Sequence, residues 1–382
     1  MARAAFLLLA ACAAIAPTFA QPATGTATSP APPLRWVQHA TLPAKFPQAG
    51  DLCSVGDDLY VAAATDALAK NGQALFKLTP DDTLSPVLVR SGQGFLRIHP
   101  HGDRLFVPDA DAPLTASIVF RLNTDGFVYS FAPSEPAAAK REVIPHVYHV
   151  FDTAELDSRI YASAGAYADS EVPYRAKRNP AALYLREAAE KPWRRLVECP
   201  LVPKGTETGV VRFTYLLPLE NGRLLAGLTD WSGSLGGDGA VLIEGLPDHP
   251  KVRRLVGLSG NTLRWFRWRS LIFQIGESAG TTHLSVSADG GHSFALVAGA
   301  PALPQSLARI DGALALLADG VLHRSDDGAT FTALTAQNPA LRHHAHPLLT
   351  APLILHRGKL WAADPQHGSI WATEPVAPPP AN

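Results

Sequence analysis

A polar turn, usually containing Gly, followed by a Leu or Ile that opens an apolar strand, recurs along this chain and limits its fold more than any other feature. It reads Gly56-Asp57-Asp58-Leu59-Tyr60-Val61, Gly102-Asp103-Arg104-Leu105-Phe106-Val107 and Asp157-Ser158-Arg159-Ile160-Tyr161 in the N-terminal half. It continues as Asn221-Gly222-Arg223-Leu224, Trp268-Arg269-Ser270-Leu271, Asp311-Gly312-Ala313-Leu314 and Gly358-Lys359-Leu360. The leading positions 59, 105, 160, 224, 271, 314 and 360 are separated by 46, 55, 64, 47, 43 and 46 residues. A period in the forties, with strand-like runs between turn residues, is what four-stranded propeller blades require.

Each unit reads as an apolar strand, the turn, the landmark strand, a variable loop, and then a third and a fourth strand. Third strands are predicted at residues 73–78, 117–122, 181–185, 240–243 and 282–286, and fourth strands at 193–197, 252–256 and 294–297. The final unit, with strands at 352–355, 360–363 and 369–373, runs into prolines without a fourth strand. The first run, Leu34 to His39, has no unit of its own. The expectation is therefore an all-β, seven-bladed β-propeller of four-stranded blades, with the N-terminal strand closing the last blade and protecting two edges at once.

Residues 1–20 carry Arg3, an apolar run and Thr18-Phe19-Ala20, the regions of a secretory signal peptide. The competing address is a lipoprotein anchored through Cys12, since Leu9-Ala10-Ala11-Cys12 resembles a lipobox. Residues 21–33 are low-complexity and read as a disordered linker, residues 34–375 as the propeller, and residues 376–382 as a Pro-rich tail. No later stretch reaches the roughly 18 consecutive apolar residues of a membrane helix. The chain without its leader carries 32 Lys plus Arg (33 less Arg3) against 34 Asp plus Glu. That balance argues against nucleic acid or an anionic membrane held by bulk charge. Cys53 and Cys199, 146 positions apart (199 − 53), could pair in an exported compartment or remain buried thiols.

Near the C-terminal end, Ser287-Ala288-Asp289-Gly290-Gly291-His292-Ser293-Phe294 and Arg324-Ser325-Asp326-Asp327-Gly328-Ala329-Thr330-Phe331 share the pattern Asp, any residue, Gly, any residue, Ser or Thr, Phe. In that alignment Asp289 and Asp326 are 37 positions apart (326 − 289), and Ser287 is matched by Arg324. Asn123 to Phe127 and Pro80 to Leu84 look like weaker relics. The pattern resembles the Asp box, or BNR repeat, of the sialidase-like propellers. The resemblance implies a turn between third and fourth strands, in which the Asp caps backbone N–H groups, the Gly takes up a conformation other residues resist, and the aromatic ring packs between sheets. Asp boxes carry fold and not activity.

Sialidase enzymes of that family use three arginines to grip a carboxylate, a Tyr assisted by a Glu, and an acid/base Asp, with the first arginine in a Phe/Tyr-Arg-Ile-Pro stretch. The nearest stretch here is Leu96-Arg97-Ile98-His99-Pro100, an imperfect match. Arg212 and Arg264, Tyr215, Glu277 and Asp109 are the residues available for the other roles, and their spacing does not demand them. The long insertions at 108–116, 164–180, 200–211 and 229–239 fall on the end of the sheets opposite the Asp boxes, where binding usually develops. Acidic residues recur there, at Asp66, Asp109, Asp111, Asp230, Glu277, Asp319 and Asp364, as turn caps or as a ring of acceptors. Tyr167, Tyr174 and Trp231 would offer flat faces to sugars.

His99 and His101 share a strand face and with His149 could ligate a metal, yet no Cys-x-x-Cys or His-Glu-x-x-His accompanies them. No metal or cofactor is expected. The resulting expectation is an exported monomer that binds a carbohydrate or another cell-envelope component without catalysis, through Arg97, His99, His149, Arg212, Trp231 and Arg264. The alternative is a sialidase-like exo-glycoside hydrolase whose catalytic candidates are Asp109, Asp230, Glu277 and Tyr215.

Overall fold

The computed structural model describes residues 34–65, 72–92, 94–110, 126–144, 147, 149–165, 181–201, 211–230, 239–258, 260–346 and 348–376. The stretches expected to be a signal peptide and a linker, the predicted strand at 117–122, the relic at Asn123 and the residues Asp66, Asp111, Tyr167, Tyr174 and Trp231 lie outside the described residues. So does most of each long insertion.

Antiparallel four-stranded meanders follow one another along the chain. The first is β2 (Gln48–Val55), β3 (Asp58–Ala64), β4 (Gln73–Leu78) and β5 (Leu84–Arg90); the second is β6 (His99–His101), β7 (Arg104–Pro108), β8 (Gly126–Phe131) and β9 (Lys140–Ile144). The next two are β10 (His149–Leu156) through β11 (Arg159–Gly165), β12 (Ala182–Arg186) and β13 (Arg194–Glu198), and β14 (Val211–Leu219) through β15 (Arg223–Asp230), β16 (Gly239–Glu244) and β17 (Lys251–Arg254). A bridge from Gly165 to Arg212 links these two into one eight-stranded sheet. A Cβ on Gly165 would stand 2.5 Å from Arg212 Cγ, so the strands can meet there only because residue 165 has no side chain.

Two further sheets are β18 (Asn261–Trp268), β19 (Leu271–Ser278), β20 (Thr281–Ser287) and β21 (Ala295–Leu296), then β22 (Pro304–Ile310), β23 (Ala313–Ala318), β24 (Val321–Ser325) and β25 (Thr332–Ala333). The last sheet combines β26 (Leu353–His356), β27 (Lys359–Ala363) and β28 (Ser369–Pro375) with β1 (Leu34–Thr41), in register from Leu34 opposite Pro375 to Thr41 opposite Ser369. The third strand of the second meander is Gly126–Phe131, later than the sequence periodicity predicts. Helical structure among the described residues is confined to 3-10 turns such as Pro136–Ala138 and Pro339–Leu341.

The core explains why the meanders stack. Tyr60 and Leu75 of the first pack with Leu105 and Phe131 of the second, and Phe106 and Val128 of the second with Ala162 and Tyr184 of the third. The pattern continues through Leu183 with Phe213, Leu242 with Ile272, Phe273 with Leu314, and Leu317 with Leu360. Trp361 and Ile370 of the last sheet then share a cluster with Leu59 and Phe76 of the first, so the stack closes into a ring. Both faces of each sheet are covered, which is why the landmark strands are apolar at nearly every position instead of alternating. The architecture is an all-β propeller with blades of four strands.

The two cysteines are buried free thiols in separate clusters, Cys53 between the first and second meanders and Cys199 between the third and fourth. No helix among the described residues is long and apolar enough to cross a membrane.

Candidate functional site

The innermost strands carry a repeated irregularity. Register shifts fall between Ala49 and Asp51, Val150 and Asp152, Phe213 and Leu216, Thr262 and Arg264, and Pro304 and Ser306. Such β-bulges re-aim a side chain. Asp51, Asp152, Arg264 and Ser306 sit opposite Ala62, Ser163, Ile275 and Leu317, the same place in four different blades. Counting back from the pair His99–Phe106 puts Arg97 at this level, and Tyr215 lies within the β14 bulge. The fold thus collects Asp51, Arg97, Asp152, Tyr215, Arg264 and Ser306 in one layer.

These side chains reach across the ring. Arg264 donates from Nη1 to Asp51 Oδ1 at 2.9 Å, from Nη2 to Gly50 O at 3.2 Å, and from Nε to Thr350 Oγ1 at 3.1 Å. Arg97 stands 4.0 Å from Asp51 Oδ1, donates to Leu263 O of β18, and lies 3.7 Å over the ring of Tyr215. Tyr215 in turn donates its hydroxyl to Leu348 O at 2.6 Å. Two guanidinium groups, one carboxylate and one phenol therefore fill the centre of the ring and bind it to itself.

The acceptors in the layer do a second job. Asp51 Oδ2 accepts Ile98 N at 3.3 Å, Asp152 Oδ2 accepts Leu216 N at 2.8 Å, and Ser306 Oγ accepts Leu353 N at 3.2 Å. Each bond runs from one blade to the next around the ring and satisfies a backbone amide there; that of Leu216 borders the β14 register shift.

Electrostatics follow from burial and from these pairs. Burial alone would raise the Asp51 carboxyl, but the Arg264 and Arg97 charges outweigh it and hold the group below the ordinary carboxylate range. Burial pushes the Tyr215 phenol up and the Arg264 guanidinium down. His99 bonds through Nε2 to Asp152 Oδ1 at 2.6 Å; burial disfavours its charge, yet Asp152 prevails and raises it. Its side chain remains 33% exposed while that of Asp152 is 3% exposed, so the ring is held from below and open on one side.

Other sequence candidates fall elsewhere. Arg212 is buried at the joint between β11 and β14, its guanidinium 5.6 Å over Phe151. His149 donates from Nδ1 to Ala110 O at 2.8 Å and stacks on Phe151. Asp109 is buried at the end of β7, bridged to Phe95, and Asp230 is buried at the end of β15. Glu277 accepts Gly280 N at 2.6 Å and Asp364 accepts Gln366 N at 2.8 Å, so both cap the turn that follows them. Asp319 likewise accepts His343 N at 3.0 Å. No group of three or more His, Cys, Asp or Glu among the described residues could hold a metal ion.

Asp51 and Asp152 are absent from the sequence-derived candidates, although a signal for them exists. Asp51, Arg97, Asp152 and Ser306 each lie eight residues before a landmark residue (59 − 51, 105 − 97, 160 − 152, 314 − 306). In the sheet β18–β21 the equivalent landmark is Ile272, opposite Arg267, one residue later than the turn pattern predicts.

The two turns with the Asp-x-Gly-x-Ser/Thr-Phe pattern join β20 to β21 and β24 to β25, third to fourth strands. In the first, Asp289 Oδ1 accepts Ser287 Oγ at 2.7 Å and the amides of His292 and Ser293 at 3.0 Å. The second is one residue shorter than the sequence alignment implies. Its capping residue is Asp327, which accepts Ser325 Oγ at 3.0 Å and the amides of Ala329 and Thr330 at 2.8 Å, whereas Asp326 pairs with Arg324. The relic at Pro80 to Leu84 has the same logic, with Thr79 Oγ1 donating to Asp81 at 2.5 Å.

No family model and no curated protein sequence matches the chain. Solved structures do. The α-L-arabinofuranosidase of Fusarium graminearum in complex with arabinobiose aligns with a TM-score of 0.48 at 9% identity, over 89% of this chain and 97% of that one. The α-L-arabinanase of Penicillium chrysogenum aligns with a TM-score of 0.46 at 10% identity, over 89% and 97%. The N-terminal domain of Nup159 aligns with a TM-score of 0.46 at 11% identity, over 91% and 97%. At this level of likeness no activity carries over.

Proposed function

We propose that this chain is an exported, seven-bladed propeller, sialidase-like in its Asp-box turns, that binds a carbohydrate or another cell-envelope component at its long-loop end without hydrolysing it. The count of seven takes the eight-stranded sheet as two blades. In its support, β10–β13 and β14–β17 pack on each other through their own core cluster, as the separate sheets do.

One observation carries the non-catalytic reading. The groups that sialidase-type chemistry would spend on a substrate are spent on the protein: Arg264 on Asp51 and Thr350, Arg97 on Leu263 O and the Tyr215 ring, and Tyr215 on Leu348 O. An arginine already paired with a buried carboxylate gains little by exchanging it for a ligand's. Glu277, the candidate helper of the Tyr, is occupied by Gly280 N.

A glycan array and a glycosidase panel on the chain from Gln21 onward test the reading. The expected result is saturable binding of a glycan, weakened at least tenfold by Trp231→Ala, with no turnover. Release of a terminal sugar, abolished by Tyr215→Phe, would overturn it in favour of the hydrolase.

A further inference from the structure

At the opposite end of the ring from the long loops, the first Asp-box turn presents His292 between two arginines. Arg223 opens β15 directly after the β14–β15 turn, Arg253 lies on the outer strand β17 of the same blade, and His292 belongs to the next blade. Arg223 Nη1 stands 3.2 Å from His292 Nε2, and Arg253 Nη2 stands 2.9 Å from His292 Nδ1. His292 and Arg253 are exposed and Arg223 is half-buried.

This arrangement has more donors than acceptors. A guanidinium only donates, and a neutral imidazole offers one acceptor nitrogen and one N–H. Whichever tautomer His292 adopts, one of its two contacts sets N–H against N–H; a protonated ring makes both so. The nearby carboxylates do not relieve the mismatch. Both oxygens of Asp289 are engaged inside its own turn. Glu220 is paired with Arg267 at 2.6 Å, and although its charge is felt by Arg223, what it gives Arg223 directly is its backbone oxygen, at 3.2 Å. Among the described residues no carboxylate lies within ion-pair distance of Arg223 or Arg253.

The group that accepts from several converging N–H donors is an oxyanion. We propose that Arg223, Arg253 and His292 form a binding site for an oxyanion, carried by a phosphoryl group or by a sugar carboxylate. The site is largely built before a ligand arrives. Gly290 O and Glu220 O hold the Arg223 guanidinium at 3.3 and 3.2 Å, and the Asp289 cap fixes the backbone of His292, so few rotamers remain to be ordered on binding. Its distance from the long loops makes it independent of the function proposed above.

The test follows the ring nitrogens of His292 by NMR, in histidine-labelled full chain at constant pH, during titration with inorganic phosphate and separately with glucuronate, each against sodium chloride at matched ionic strength. A saturable shift with either anion and not with chloride is expected, weakened at least tenfold in Arg253→Ala and in Arg223→Ala. Saturation by phosphate alone assigns a phosphoryl ligand, and by glucuronate alone a sugar carboxylate. Equal response to chloride, no saturable shift, or an unchanged shift in both variants would overturn the proposal. Arg253 lies exposed on an outer strand, so its replacement keeps the test valid even if Arg223→Ala disturbs the turn.

Discussion

Asp51 of β2 and Arg264 of β18 meet at 2.9 Å in the middle of the ring, although they belong to different sheets and lie 213 positions apart in the chain. Removing one member of a buried pair leaves the second charge stranded, at a cost of about 3–5 kcal/mol, whereas replacing both with apolar groups can be near neutral. Asp51→Ala is expected to lower the free energy of unfolding by that amount, and by more than Ser306→Ala, which removes only an inter-blade hydrogen bond of about 1 kcal/mol. Urea unfolding of Asp51→Leu, Arg264→Leu and the double variant gives the coupling. A double variant as unstable as the sum of the single ones would show that the two residues do not act as a pair.

The turn between β24 and β25 offers a contrast within one hairpin. Asp327 caps two amides and Asp326 makes one exposed ion pair, so Asp327→Ala should cost about 1–2 kcal/mol and Asp326→Ala less than about 0.5. Asp289 has a pH signature as well. Its partial burial would raise the carboxyl, but the Ser293 and Ser287 hydroxyls and two amides hold it at about 2. Because its folded value is depressed, its stabilisation is complete above the ordinary value of 3.8 and is lost as pH falls toward about 2. The stability gap between parent and Asp289→Asn should close across that window; a constant gap would reject the cap.

His99 and His101, stacked with centroids 5.8 Å apart, are predicted to respond to pH with opposite signs. Burial, with the neighbouring His99 and Arg186 charges, pushes His101 down to about 3. The unfolded chain then takes up its proton near 6.5 while the folded protein does not, so stability falls as pH drops from about 6.5 toward about 3. His99 is raised, since Asp152 overcomes the penalty of burial, and its contribution is present below 6.5 and lost as pH rises through its folded value. Urea midpoints against pH should show His101→Asn flattening the decline below about 6.5 and His99→Asn flattening the loss of stability as pH rises above it. Curves parallel to the parent in both variants would refute the assignment.

How far the sequence reaches is set by what kind of signal each feature leaves. The landmark strands are legible because covering both sheet faces forces near-continuous apolar runs such as Asp58 to Ala64, and turn residues punctuate them. The pairing of β1 with β28 is legible as an arithmetic gap, one strand too many at one end and one too few at the other. The central layer is harder. Asp51 and Asp152 lie in runs that read as ordinary strand, and their convergence depends on bulges, which have no sequence signature of their own. Arg97, Tyr215 and Arg264 enter the sequence reading through the sialidase resemblance, and the ring does bring them together; what the resemblance does not supply is Asp51, the carboxylate set against the two guanidinium groups. The shift from Asp326 to Asp327 has a similar origin, because a turn shortened by one residue keeps the written pattern while changing which Asp faces the amides.

Strand β1 makes the last prediction. It forms the outer edge of the final sheet along its whole length, and its residues tie that sheet to both neighbours. Leu34 donates its amide to Leu334 O at 3.0 Å and packs with Trp36 against the sheet β22–β25, while His39 bonds through Nδ1 to Asp82 at 2.9 Å in the first meander. His39 also lies 4.7 Å from the ring of Trp361, whose indole shares the core with Leu59 and Phe76. Removing residues 34–41 would expose the edge of β28 and the apolar clusters on both sides of the last sheet. An open edge of that kind invites pairing with another chain. The truncated protein is therefore expected to lose cooperative unfolding and to self-associate, as read by denaturant titration and sedimentation. Supplying the peptide Leu34–Thr41 in trans should restore both, and a truncated chain that unfolds like the parent would show that the ring does not depend on this strand.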